Sequence, residues 1–292
     1  MNLIDDCISY TNEGNEVEVK DFLLSKNISN RLYCQLYRNK MIYINGEILR
    51  NNYIVSKNDT VTIYFVDEVC DIEPEKMDLD IVYEDKDLIV INKPPFMLVH
   101  PTKNYPDKTL ANGVAYYFNK INLKRKIRIV NRLDRDTSGL VIFAKNQFAH
   151  QQMSLQLENG ILEKYYYTIV DGIINEKDGI IEVPIAQKID GYGREVRNDG
   201  DYCKTYYEVI DRYDDFTLLK VKTFTGRTHQ IRVHMAYIGH PIIGDELYFK
   251  KDRRINRQAL HAYGLIFENL RAKTKVNLKV QIPQDMANIL KR

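Results

Sequence analysis

No apolar run in this 292-residue chain reaches the roughly 18 residues needed to cross a bilayer. The opening MNLIDDCISY lacks the basic-then-apolar order of a secretory signal. Neither a membrane anchor nor export is expected, and the cytoplasm is the expected location. Cysteine is sparse and scattered. Cys7, Cys34, Cys70 and Cys203 form no Cys-x-x-Cys pair, so neither a disulfide framework nor a zinc knuckle is indicated. Charge of one sign is also missing overall, with a formal net charge of +2. There is no internal repeat and no low-complexity tract.

Several catalytic signatures are absent as well. No Walker motif and no Gly-x-Ser-x-Gly elbow occurs. Gly191-Tyr192-Gly193 has no third glycine and no following helix, so a hairpin loop explains it better than a dinucleotide site. Among the six histidines, His229 and His234 stand five apart and His240 follows a glycine. No pair has the i, i+4 spacing of a helical zinc site, and no metal is expected.

What is present is a 44% apolar chain, long enough for one large core and a small appended module. Its charge is unevenly spread. Asp67 to Asp87 carries ten acidic residues against Lys76 and Lys86, whereas Lys120 to Arg135 carries seven basic residues against Asp134 alone. Lys250, Lys251, Arg253, Arg254 and Arg257 form a second basic cluster. Each is as readily a solvated face as a binding surface.

Residues 16–66 read as a compact unit of two short helices, a hairpin and a closing strand. Ser29 is a good N-cap for the second helix, which would put Leu32 and Leu36 on one face. MIYINGEIL sets Asn45-Gly46 between two apolar runs, the strongest short hairpin signal. VTIYF, Val61 to Phe65, closes the unit. This pattern resembles the small S-four RNA-binding module, in which a helix pair presents basic side chains to RNA. The resemblance implies RNA contacts at Arg31, Arg38 and Lys40, although this copy is rich in Tyr and lacks a dense basic run. The acidic stretch around Pro74 reads as a solvated linker. It divides the chain into a module at 1–72 and a larger domain at 73–292.

Beyond the linker, DLIVIN, GLVIFAK, YYYTIV, FTLLKVK and KVNLKV read as strands. AHQQMSLQLENG predicts a helix over 149–160 with Met153, Leu155 and Leu157 inside and Gly160 as its stop. Many strands and few helices, without βαβ alternation, predict an α+β domain on a mostly antiparallel sheet.

Three segments dense in polar residues, Gly and Pro interrupt these strands: INKPPFMLVHP, NRLDRDTSGLVIFAKN and TGRTHQIRVHMAYIGHPIIGD. The middle one sets Asp134 between Arg132 and Arg135 just before an apolar strand. A turn of this kind presents its side chains at the end of a sheet, either to a ligand or merely to solvent. In order and content the three segments resemble the RluA-type pseudouridine synthases over about residues 78–290. RLDRDTSGLVIFAKN is similar to that family's nucleophile loop, which implies Asp134 as the catalytic carboxylate. The resemblance places the family's Tyr, by register from Lys164, at Tyr166, between Tyr165 and Tyr167. GRTHQIRVH is similar to the strand whose second Arg pairs with the Asp, here Arg232. INKPPFMLVHP and RQALHAYGLIF resemble the opening and closing motifs, which shape the pocket. One departure is visible: Asn131 stands where the family most often has His.

What the resemblance implies is an isomerisation of uridine to pseudouridine in structured RNA, with no cofactor because no redox step or energy input is needed. The carboxylate either attacks covalently or removes a sugar proton, and both routes need it charged and aimed. An arginine within hydrogen-bonding reach supplies both, and a lysine would be a poor substitute. Tyr166 offers a stacking face and a hydroxyl for proton transfer, although it is also one of 21 tyrosines and could be core. Flipping a base out costs roughly a few kcal/mol, and Arg132 would fill the vacated space. Lys124, Arg125, Lys126 and Arg128 would hold phosphates, with Arg227 and His229 as further substrate contacts. The partner expected is ribosomal RNA of the large subunit before transfer RNA, bound by a monomer. Two other classes compete. A non-catalytic RNA binder would gain nothing from a carboxylate facing phosphates, and an RNA N-glycosylase would release free base.

Overall fold

The structure, a computed structural model, describes residues 6–291. Residues 1–5 of the opening stretch, on which the absence of a secretory signal was read, lie outside them. Among the described residues no helix is long and apolar enough to cross a membrane.

Local pattern and turn chemistry build the first unit. Strands β1 (Cys7–Thr11) and β2 (Val17–Glu18) precede helices α1 (Val19–Ser25) and α2 (Asn30–Arg38). Ser29 caps α2 by accepting from the Leu32 N–H, a contact worth about 1 kcal/mol. Leu32 and Leu36 are both buried. Strands β3 (Ile42–Ile44) and β4 (Glu47–Ile48) are joined through Asn45 and Gly46 at φ 50° and 90°, the paired positive values a two-residue type I′ turn demands. The short β5 (Ile54–Val55) pairs with β2, and β6 (Thr60–Tyr64) joins a four-stranded sheet ordered β1-β6-β3-β4. The unit therefore begins before residue 16, because β1 pairs along the whole of β6.

The larger sheet follows. Strands β7 (Ile81–Glu84) and β8 (Leu88–Lys93) lead to α3 (Leu110–Lys120), β9 (Arg128–Ile129), β10 (Ser138–Ala144), α4 (Gln147–Glu158) and β11 (Glu163–Asp171). Next come β12 (Asp178–Glu182), the hairpin β13 (Ile185–Gln187) and β14 (Arg194–Val196), β15 (Lys204–Arg212), β16 (Phe216–Thr223) and α5 (Gln230–Tyr237). Strands β17 (Leu260–Glu268) and β18 (Lys275–Lys279) and helix α6 (Gln284–Leu290) complete it. The sheet runs β12-β15-β16-β11-β17-β10-β8-β7, with β18 on β17 and β9 on β10. All of its pairings are antiparallel except β10 with β17, so the expected α+β class with a mostly antiparallel sheet holds. That parallel junction starts at Ser138 and Gly139. Gly139 sits at φ +116°, and a Cβ there would overlap the Ala262 carbonyl, so only glycine lets the two backbones meet.

Three expectations need correction. The helix read over 149–160 starts at Gln147, because Asn146 caps it by accepting from the Ala149 N–H. It buries Phe148, Gln152, Met153 and Gln156 and leaves Leu155 and Leu157 half-buried. The buried glutamine is needed there, since Gln156 bonds both the carbonyl and the N–H of Glu268. Second, the acidic stretch is no free linker. Asn112 on α3 donates to the Glu73 carbonyl, the Glu75 carboxylate accepts from the Lys108 N–H, and Ile72 and Leu79 pack on the core. Third, the core of the N-terminal unit is not separate from that of the larger domain. Phe22, Leu32, Val61 and Phe65 join one buried cluster with Val90, Ile142, Phe148 and Phe267 of the larger sheet.

Candidate active site

Asp134 lies on the loop that enters β10, and that loop is gripped at nearly every residue. Asn131 is buried; its amide donates to the Leu140 carbonyl at 3.1 Å and accepts from the Ile142 N–H at 2.8 Å. It pins the start of the loop to the strand the loop will become. The fully buried Lys93 gives its three protons to the carbonyls of Pro94, Met97 and Arg135, each at 2.9 Å. Burial pulls this ammonium down to about 7. Arg257 donates to the Asp136 carbonyl at 3.1 Å while paired with Asp285 of α6. Gln258 donates to the Thr137 hydroxyl, and Ser138 bonds His261 at 2.9 Å. A loop tied this densely holds its carboxylate in one orientation.

Opposite it stands Arg232, on α5. The segment GRTHQIRVH was expected to be a strand and is a turn followed by this helix. Its Ile-Arg-Val alternation misleads because all of Gln230 to Met235 is buried, which leaves no solvent face to reveal a 3.6-residue period. The Gln230 side chain closes the turn, accepting from the Arg227 N–H and Thr225 hydroxyl and donating to the Lys204 carbonyl. Arg232 then bridges two carboxylates. Nε and Nη2 donate to Asp245 at 2.7 and 2.8 Å, and Nη1 donates to Asp134 Oδ2 at 3.1 Å. Burial opposes the guanidinium charge, but Asp245 and Asp134 together raise its pKa. Asp245 is 1% exposed and also accepts from the Leu247 N–H, so it is the anchor and Asp134 the presented group.

Strand alternation decides among the three consecutive tyrosines. Tyr165 points away from the site and donates to Glu163, and Tyr167 stacks on Tyr263 with ring centroids 3.9 Å apart. Tyr166 alone faces Asp134, across a cavity of about 220 Å³ that both line with Arg132, Arg227, His229 and Lys164. Burial pushes the Tyr166 phenol up to about 12, so its hydroxyl keeps its proton at neutral pH. The space is smaller than the roughly 300–1,000 Å³ of drug-sized ligand pockets, as suits one extruded base. Burial also pulls Lys164 down to about 8. His229 sits in the left-handed region at φ 58°, with Nε2 3.8 Å from Asp134 Oδ2 and Nδ1 2.8 Å from the Tyr248 hydroxyl. Among the described residues no three His, Cys, Asp or Glu side chains are grouped to hold a metal ion.

The basic run at 124–128 does not join this constellation, and two of its members cannot serve as free phosphate contacts. Arg125 is buried, its guanidinium taken up by Asp6, Asp67 and the Phe65 carbonyl. Arg128 is held by Glu68 through bonds of 2.6 and 2.7 Å. These arginines fasten the acidic connecting segment instead. Lys124 and Lys126 remain exposed, Lys124 lying 3.8 Å from Asp67. The sequence reading assigned no individual role to Asp245, Tyr248, Lys93 or Arg257, although Lys93 and Arg257 lie within the opening and closing motifs and Arg257 also within the second basic cluster. Asp245 ended the third polar segment, but nothing in the sequence linked it to Arg232. Tyr248 carried no signal among 21 tyrosines.

Comparison with known proteins agrees with this geometry. A family model described as RNA pseudouridylate synthase matches residues 87–237. An uncharacterised RNA pseudouridine synthase of Bacillus subtilis, YlyB, is 39% identical over 99% of this chain and 98% of its own length. The ribosomal large subunit pseudouridine synthase D of Buchnera aphidicola from Acyrthosiphon pisum is 36% identical over 92% of this chain and 93% of its own. Among solved structures, human RNA pseudouridylate synthase domain containing 1 superposes with a TM-score of 0.59 at 25% identity, covering 72% of this chain and 86% of that one. With a family model over more than half of its length and relatives this similar along nearly all of it, the chain belongs to the RNA pseudouridylate synthase family and is an RNA pseudouridine synthase.

Proposed function

We propose that this enzyme converts specific uridines in folded RNA, large-subunit ribosomal RNA before transfer RNA, into pseudouridine at Asp134, without a cofactor. The observation that carries the reading is the Asp245–Arg232–Asp134 array opening onto a base-sized cavity walled by Tyr166. The reaction breaks the bond from N1 to the ribose, turns the uracil in place and joins C5 to the same sugar carbon. The C5 proton leaves and N1 ends protonated, so atoms and electrons balance with no redox partner. Oδ2 of Asp134 is occupied by Arg232, and Oδ1 receives no side-chain donor among the described residues. Oδ1 is thus the oxygen to attack the nucleoside or remove the sugar proton. Tyr166 stacks on the base and, with its hydroxyl neutral, passes the proton released at C5. Arg132, exposed at the rim, fills the gap left by the flipped base.

Residues 1–72 form the S-four-like RNA-binding module and 73–292 the catalytic domain. Arg31, Arg38 and Lys40, all exposed on and after α2, support the first assignment. The Buchnera relative, named for the large ribosomal subunit, supports the choice of RNA. The enzyme works as a monomer in the cytoplasm, where ribosomes are. The test is release of tritium from C5 of uracil in unmodified ribosomal RNA, comparing the wild type with Asp134→Asn. Release by the wild type alone, with the base retained in the chain, is expected. Free uracil as product, or equal release by both, would overturn the reading.

A further inference from the structure

His229 lies beside the carboxylate in an arrangement that determines where its proton sits. The Tyr248 oxygen accepts from the Arg194 backbone N–H at 2.8 Å and stands 2.8 Å from His229 Nδ1. Among the described residues the Tyr248 hydroxyl has no other acceptor, and burial pushes its pKa up to about 12, so its own proton goes to Nδ1. Nδ1 being an acceptor, a neutral imidazole carries its hydrogen on Nε2, the nitrogen 3.8 Å from Asp134 Oδ2. That separation is one small movement from a hydrogen bond, and such contacts tighten when substrate closes a site. The strained backbone fits a purpose of this kind, since His229 holds φ 58° at the head of α5 without using its side chain as a helix cap.

We propose that His229 is a positioning residue for Asp134: held by Tyr248 as the neutral Nε2–H tautomer, it fixes Oδ2 together with Arg232 and so presents Oδ1 to the nucleoside. The proposal rests on the pseudouridine-forming reading of Asp134. Neutrality matters because Arg232, although shared with Asp245, already holds Oδ2 of Asp134 with a charged donor. A second, from an imidazolium, would hold the electrons of Asp134 too tightly for attack or proton removal. The groups facing the ring are Asp134 on the β10 loop, Arg232 on its own helix, Asp245 and Tyr248 from the segment after α5, and Arg194 on β14. Burial is the largest influence on the ring and favours its neutral form; Asp134 works against that and Arg232 with it. Because the donor to Tyr248 is a backbone N–H, replacing the Arg194 side chain leaves the arrangement intact.

The experiment measures tritium release from unmodified ribosomal RNA between about pH 5 and 9, the range in which histidine titrates, for full-length wild type, Asp134→Asn, His229→Ala, His229→Gln and Tyr248→Phe. His229→Ala should lower kcat roughly tenfold, the scale of one lost hydrogen bond to a charged group, with KM within about twofold. His229→Gln, which keeps an N–H donor, should recover most of that loss. Tyr248→Phe frees Nδ1 to take a proton, so the acid limb of its kcat profile should move to higher pH. A merely structural role would lower the melting temperature without moving that limb. An inactive wild type would overturn this proposal together with the reading beneath it. An active wild type with inactive Asp134→Asn, but His229→Ala equal to wild type or an unmoved limb in Tyr248→Phe, would overturn this proposal alone.

Discussion

Replacing Arg232 by lysine tests the site most directly, because the structure sets the size of the effect. The guanidinium makes three charge-assisted bonds: two to Asp245, whose side chain is 1% exposed, and one to Asp134, whose side chain is 27% exposed. A lysine ammonium is a single point on a flexible stem and does not span both carboxylates in this fork geometry. The deeper Asp245 has no water to turn to, so it takes the ammonium, and Asp134 loses its partner. Losing a hydrogen bond between charged groups costs roughly 1.5–3 kcal/mol. If that falls on the transition state, kcat/KM drops by about 10- to 150-fold. The partial exposure of Asp134 lets water make good some of the loss, which favours the lower half of that range. Stability should change little, because Asp245 stays paired. Tritium release and thermal unfolding measured on the same preparation separate the two effects. A lysine variant within threefold of wild type, or one that loses activity only because it melts earlier, would refute the ion-pair argument.

Asp134→Asn should abolish turnover and leave RNA affinity within a few-fold in a filter-binding assay, since shape is kept and only the charge is lost. Tyr166→Phe should lower kcat at least ~10-fold by losing the proton-bearing hydroxyl, with affinity held by the retained ring; an unchanged kcat would reduce Tyr166 to a wall of the cavity. Arg125→Met should cost about 3 kcal/mol by leaving Asp6 and the Phe65 carbonyl without their partner, visible as a melting point several degrees lower. It should leave the salt slope of RNA binding untouched, whereas a double Ala variant at the exposed Lys124 and Lys126 should flatten that slope if this rim meets phosphate. His261, which bonds Ser138 at the end of the Asp134 loop, is lowered to about 4 by burial and by Arg257. Below its unfolded value near 6.5 the unfolded chain binds the proton and the folded one does not, so stability should fall as pH drops from about 6.5 to 4, by about 3 kcal/mol in all. Denaturant titration across that window should show the loss, and His261→Gln should flatten it.

What the sequence settled by itself follows from short-range physics. The Asn45-Gly46 turn, the Ser29 cap, the strand runs and the Gly160 stop depend on a residue and its near neighbours, and each lies where the pattern put it. The loop motif around Asp134, the tyrosine selected by strand register and the second Arg of GRTHQIRVH were legible because they stand in contiguous, recognisable order. Tertiary structure decided the rest. Lys124 to Arg128 is a basic run in one dimension, but the fold lays Asp6, Asp67 and Glu68 against it and spends two of its arginines on ion pairs. The helix carrying Arg232 is buried all round from Gln230 to Met235, so its period left little trace in the pattern. Asp245 and Tyr248 meet Arg232 and His229 only because the chain turns back after α5. Contacts of that range come from closing the chain around a common core, and no local rule of propensity or spacing encodes them.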